Sequence, residues 1–403
     1  MSGLYFSVNK AAFMPCEELL EVTDSLRRLH IGICHESDPC EDRIVLTPKT
    51  VNLLIQHGHN VMVEKRAGSG AGFTDLQYSE AGANIVERHE VYRADILLKI
   101  NPPTIDEIGL MKERQTVLSY LPVYRLSEKY IRKLADKNIT AIAFESIRDR
   151  FGCYPFMKIM SEIAGSLSVQ VASEYLGKSF GGRGILLGGI SGVCPAEIVI
   201  VGSGNAAGFA ARSALGSGAF VRVFDNSVHR LQCLQENLGI RLYTSVIHPK
   251  TLTKALAAAD AVIAAVYIDG NKYHYNNLIT EKMIRQMKHG SVIVDLSINQ
   301  GGCCETSEIC TLSDPVIVKH GIIHYCVPNI TSRVPRTASK AISNILVDTL
   351  LTMGQQGSIS IWLKSDIGIR NGVYMYNGIL TNQHIGDLFG MTSHDIHLLM
   401  AAF

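Results

Sequence analysis

The chain has no excess charge of either sign: 38 Lys and Arg stand against 37 Asp and Glu, a net charge of +1 over 403 residues. A polybasic nucleic-acid binder or a membrane-surface protein needs a concentrated positive field, so neither kind of partner is expected. Paired Cys-x-x-Cys spacings are missing, and the ten cysteines are scattered, with Cys303 and Cys304 adjacent. That argues against a zinc ribbon and a disulfide framework and for free thiols in a reducing cytoplasm. The first 22 residues lack a basic segment followed by a sustained apolar one, so no secretory signal is read. Uninterrupted apolar runs are also wanting. Gly184 to Ala211 carries Glu197 as its only charge, but Pro195 and six glycines by Gly204 break it. It reads as strand, turn and helix rather than a membrane span. Metal is not expected: His57 and His59 flank Gly58 where a helix ends, His320 and His324 are split between a loop and a strand, and His394 with His397 could share a helix face but want a third ligand. His324, set in an apolar strand, reads as a core histidine.

What the chain does have is length for more than one core and an apolar fraction of 47%. A short amphipathic piece, Cys16 to Leu26, lies in an extension ending near residue 27. Apolar strands then alternate with helices: Leu29–Cys34, Asn60–Glu64, Ala94–Ile100, Gln115–Leu121 and Thr140–Phe144 in the first half. The rhythm recurs in the second half with Ile198–Val201, Phe220–Phe224, Ala261–Val266, Ser291–Leu296 and Ile322–Val327. The pattern predicts an α/β protein with two Rossmann-like, doubly wound parallel sheets on either side of a cleft. Long helices at Met160–Tyr175 and Thr337–Met353 would connect them. The expected division is an extension 1–27, a substrate domain 28–155 plus 336–403, and a nucleotide-binding domain 156–335. Clefts between domains are where small ligands bind.

The strongest local signal is Ile198-Val-Ile-Val-Gly202-Ser203-Gly204-Asn205-Ala206-Ala207-Gly208. It follows a buried strand and opens the helical stretch Ala206–Leu215, where a dinucleotide site requires it. Gly202 allows the tight turn, Gly204 lets backbone approach a pyrophosphate, and Ala207 lets helix pack on strand. The helix N-terminus offers free N–H groups to phosphate. The next strand ends at Asp225, whose carboxylate suits a ribose 2′-hydroxyl and repels a 2′-phosphate, favouring NAD over NADP.

Several segments together resemble alanine dehydrogenase, whose fold is shared by the soluble α-subunit domain of proton-translocating transhydrogenase. They are Arg43-Ile-Val-Leu-Thr-Pro48, Gly68-Ser-Gly70-Ala-Gly-Phe73, Ala94-Asp-Ile-Leu-Leu-Lys99, Met160-Ser-Glu-Ile-Ala-Gly165, Leu187-Gly-Gly-Ile-Ser-Gly192-Val, Gln300-Gly-Gly-Cys303 and His324-Tyr-Cys-Val-Pro-Asn329. The likeness is greatest to a longer subfamily with an N-terminal extension and a tail similar to Gly378-Ile-Leu-Thr-Asn-Gln-His384. It implies interconversion of L-alanine, water and NAD with pyruvate, ammonium and NADH, by a homo-oligomer, usually a hexamer. It further implies that Arg43 clamps the substrate carboxylate and that Lys99 sits beside the carboxylate and reacting carbon. Ser161 would contact the cofactor phosphates and Asn329 would lie near the nicotinamide. Val266 and the run Ser297-Ile298-Asn299 would line the cleft on the nicotinamide side.

Two departures fall at the chemistry. Where the family reads Tyr-Leu-His, this chain reads Tyr120-Leu121-Pro122, and where the family carries an aspartate it carries Asn299. Neither proline nor an amide can exchange a proton, and a positioned acid or base is worth roughly 10²–10⁴-fold in such reactions. One expectation is a substitute group: Lys99 with a pKa lowered by burial, or Tyr120, Tyr124, His35 or Glu36. Another is a changed amino or oxo acid substrate. A third is an NAD-binding regulator without turnover.

Overall fold

A computed structural model of the chain describes residues 28–266 and 278–402. The extension with its Cys16–Leu26 piece lies outside the described residues. The first sheet is built from β1 (His30–Ile33), β2 (Asn60–Glu64), β3 (Asn84–Val86), β4 (Ile96–Leu98), β5 (Thr116–Ser119) and β6 (Thr140–Ala143). The second takes β7 (Glu197–Val201), β8 (Phe220–Asp225), β9 (Tyr243–Val246), β10 (Ala261–Ala264), β11 (Val292–Asp295), β12 (Val316–Lys319) and β13 (Ile322–Tyr325). After a long helix the chain returns to the first sheet as β14 (Val373–Tyr376) and β15 (Ile379–Leu380).

The sheet orders are β3-β2-β1-β4-β5-β6-β14-β15 and β9-β8-β7-β10-β11-β13-β12. Each has the outward-then-reversed order of a dinucleotide-binding sheet, and each reverses beside its first strand, between β1 and β4 and between β7 and β10. Strands β4, β5, β6, β10 and β11 are buried along their whole length, as their unbroken apolar runs require when helices cover both faces. The sheets are not wholly parallel. β12 runs antiparallel to β13, and β14 and β15 run antiparallel at the far edge of the first sheet. Short turns join β12 to β13 and β14 to β15, as antiparallel pairs allow, whereas β14 reaches β6 only after the chain has passed through the second sheet.

Two helices tie the halves together. Pro155–Leu176 begins with proline at its first turn, places Phe156 in the first core and buries Leu167, Val169 and Ala172 in the second. Pro335–Gln355 also starts on proline and buries Ile342, Leu346 and Leu350 against the first sheet. No described helix is long and apolar enough to cross a membrane. His324 is buried, its two ring nitrogens matched with Ile322 O and Thr306 Oγ1, and burial pushes its pKa down to about 4.

Candidate functional site

In open α/β sheets a ligand binds beyond the carboxyl ends of the strands where the order reverses. Here the two switch points face one cavity of about 830 Å³. From the first sheet it is lined by Arg43 past β1, Asn101 past β4, Tyr120 past β5 and Glu145 past β6. From the second come Gly202, Gly204, Asn205 and Ala206 past β7, Asp225 at the end of β8 and Val266 past β10. Asn299 and Asn329 follow β11 and β13, and Ser161 reaches in from the bridging helix. Ala207 does not reach the cavity: it is fully buried between helix and sheet, a packing residue rather than a wall.

The glycine turn is shaped by close backbone approach. Gly202 has φ of +111°, and a Cβ there would lie 2.3 Å from Ala265 O. Gly204 has an ordinary φ of −74°, and a Cβ there would meet nothing within 4 Å. The space it leaves is the space a phosphate would take. Gly165 lets the bridging helix cross the start of the helix Asn205–Gly216, since its Cβ would lie 2.1 Å from Ala206 O. Asp225 accepts from Ser203 Oγ at 2.7 Å and from Ser227 N at 2.8 Å, which fixes its carboxylate at the cavity edge. Arg222 points away: it pairs with Glu197 at 2.8 Å and lies over the rings of Phe220 and Tyr243.

At the other end, Arg43 Nε and Nη2 donate to the two oxygens of Glu41 at 2.6 and 2.5 Å, and Nη1 donates to Thr331 Oγ1 at 2.9 Å. This locks the guanidinium plane across the cavity wall. Asn329 Nδ2 donates to Cys40 O and Ser332 Oγ, joining the two halves at the floor. Asn299 Nδ2 donates to Pro328 O at 2.9 Å, while its Oδ1 is buried and accepts no hydrogen bond among the described residues. Ser297 Oγ donates to Val266 O, and Asp295, accepting from the N–H groups of Ser297 and Cys303 and from Ser307 Oγ, holds the turn beneath them.

Lys99 is a correction. It does not line the cavity; it is 1% exposed, and its Nζ donates to both oxygens of Glu107, at 2.8 and 3.0 Å. Burial alone would lower its pKa, but Glu36 and Glu107 outweigh that and hold it above the ordinary lysine value. A neutral lysine base is therefore not what the fold builds. Glu36 is also turned inward, accepting from the N–H groups of Ile100 and Asn101, and neither it nor His35 lines the cavity. The side chain of Tyr124 lies outside the described residues. The residue that sequence reasoning missed is Glu145. It stands two residues past β6, lines the cavity, and accepts from Leu121 N at 3.0 and 3.2 Å. Burial pushes its carboxyl up to about 8, against the opposing pull of backbone N–H groups. A carboxylate two residues beyond the end of a buried strand was the available signal.

Residues 32–164 match the alanine dehydrogenase/PNT N-terminal domain, and residues 168–383 match the alanine dehydrogenase/PNT C-terminal domain. Alanine dehydrogenase 2 of Staphylococcus aureus (strain USA300) is 39% identical over 365 residues, 90% of this chain and 97% of that protein. A solved L-alanine dehydrogenase superposes with a TM-score of 0.84 at 34% identity, over 89% of this chain and 99% of the other. A transhydrogenase from Sinorhizobium meliloti superposes at 0.75 with 25% identity, over 88% and 99%. With both domains of the family matched in order over residues 32–164 and 168–383, the chain belongs to the alanine dehydrogenase/PNT family.

Proposed function

We propose that the chain catalyses the reversible oxidative deamination of L-alanine to pyruvate and ammonium with NAD. The observation that carries the reading is one cavity with a glycine-turn phosphate cradle on one wall and a locked guanidinium on the other. The cradle fits a dinucleotide, because Gly204 lines the cavity and a Cβ there would meet nothing within 4 Å. Bound NAD supplies a two-electron hydride acceptor. Residues 156–335 would form the nucleotide side, with 28–155 and 336–403 the substrate side. The N–H groups at the start of the helix Asn205–Gly216 hold the pyrophosphate, and Asp225 takes the ribose hydroxyls. Arg43 binds the substrate carboxylate, and Asn299, which lines the same cavity, stands on the nicotinamide side. Lys99 acts from behind, as the buried partner of Glu107. The exposed side chains of Leu186, Ile190 and Val193, at 65%, 67% and 60%, support self-association into a homo-oligomer.

The test is NADH formation from L-alanine and NAD, and NADH consumption with pyruvate and ammonium, with sedimentation for the assembly. Tight NADH binding without turnover would instead identify a regulator. Asp225→Ser is expected to narrow the preference for NADH over NADPH by about tenfold, roughly 1.4 kcal/mol. The ratio of the two kcat/KM values checks it, and an unchanged ratio would remove Asp225 from cofactor selection.

A further inference from the structure

Hydrolysis of an iminium needs a group that takes a proton from water and returns it to nitrogen. Among the described residues lining the cavity there is no histidine, lysine or cysteine, and the carboxylates are Asp225 and Glu145. Asp225 stands at the end of β8, beyond the nucleotide turn, with both oxygens engaged by Ser203 and Ser227. Glu145 stands on the substrate side. β5 and β6 are parallel neighbours with Ser119 opposite Ala143, so the segments that follow, Tyr120-Leu121-Pro122 and Phe144-Glu145, leave the sheet side by side. The Leu121 N–H bonds both carboxylate oxygens of Glu145, fixing the group next to the position where proline has replaced an ionisable side chain.

We propose that Glu145 is the proton-transfer residue of this site. The inference rests on the dehydrogenase reading above. In the deamination direction, water adds to the iminium carbon as its proton passes to the Glu145 carboxylate; the C–O bond forms and the C=N π pair becomes the nitrogen lone pair. The Glu145 acid then protonates that nitrogen. As the C–N bond breaks and the carbonyl forms, the hydroxyl proton returns to Glu145, which passes it to the departing ammonia. Iminium and water become pyruvate and ammonium, and the carboxylate is regenerated. The chemistry suits a carboxyl pushed up to about 8 by burial, since proton transfer is most effective from a group poised near the working pH. The other charged or titratable groups on this side of the cavity are Arg43, Tyr120 and Arg125. Behind it, the adjacent Ser146 bonds Tyr374 of β14.

The experiment compares the natural protein with Glu145→Gln and Glu145→Asp. Three quantities are read: kcat against pH in both directions, NADH affinity by fluorescence titration, and thermal melting. For the natural protein, deamination should rise with pH through about 8, because the carboxylate is the active form, and amination should fall over the same range. Glu145→Gln should lose roughly 10²–10⁴-fold in kcat and the pH step with it, while binding NADH and melting as before. Glu145→Asp should keep part of the rate and a displaced step. A Gln variant that turns over at the natural rate, or that loses rate while keeping the same step, overturns the proposal and leaves the dehydrogenase intact. A natural protein that binds NADH and produces none from alanine overturns both.

Discussion

Glu107→Ala is expected to destabilise the first sheet by about 3–5 kcal/mol, the cost of leaving a buried charge without its partner. The carboxylate is 1% exposed and gathers Lys99 Nζ, Arg88 Nη2 at 2.9 Å, Ser37 Oγ at 2.6 Å and the Thr104 N–H at 2.7 Å. Its pKa is held below the ordinary glutamate value: burial opposes this, but Lys99 and the hydrogen bonds outweigh it. The contribution is therefore full above the unfolded value of about 4.5 and is lost as pH falls through the depressed folded value. Urea unfolding at neutral pH checks the loss as a lower midpoint. Adding Lys99→Met to the Glu107→Ala variant should recover part of it, since the buried ammonium that lost its carboxylate is removed as well. A midpoint unmoved by Glu107→Ala would mean that Lys99 finds water or another carboxylate, and the account of that corner would be wrong.

Alanine at one glycine of the nucleotide turn should harm folding, and alanine at the other should not. Gly202→Ala forces a side chain onto a backbone at φ +111° and places its Cβ 2.3 Å from a carbonyl oxygen. Strain of this kind costs on the order of 1–3 kcal/mol before β7 and β10 are pushed apart. Both the melting temperature and NADH affinity should fall, the latter by at least about tenfold. Gly204→Ala adds a methyl group in open space at an ordinary φ. The fold should melt as before, and only NADH binding should weaken. Melting curves beside fluorescence titrations separate the two, and equal melting losses in both variants would contradict the assignment of Gly204 to the phosphate.

The alternating strands were legible because strands covered on both faces read as unbroken apolar runs. Asn60–Glu64 was read to the residue, most others are shorter in the structure by one or two residues at one or both ends, and Glu197–Val201 and Phe220–Asp225 each extend one residue further. The edge strands were not legible. Tyr243–Val246 and Asn84–Val86 have no fully buried residue, so nothing in their sequence selects an apolar run. Val373–Tyr376 is fully buried yet follows two short helices, and no local signal announces that it pairs with β6. In the site, the glycine turn was legible because its spacing carries its geometry. The fate of Lys99 was not: its partner Glu107 lies on the next helix, where it also caps Thr104, and a capping residue looks the same whether or not it holds a buried ammonium. Glu145 was passed over because no glycine or repeat surrounds it, and only the pairing of β5 with β6 brings it beside Pro122.

The return of the chain as β14 and β15 bears on how the protein is made. All seven strands of the second sheet lie between residues 197 and 325, whereas the first needs residues 30–143 and then waits for 373–380. On the ribosome, the later-encoded half can therefore close before the earlier one is finished. Until then β6, buried along its length in the finished fold, is an open border with unpaired amide and carbonyl groups. Ribosome-bound chains halted before residue 373 should expose that border to proteases and chaperones, and chains released past residue 380 should not.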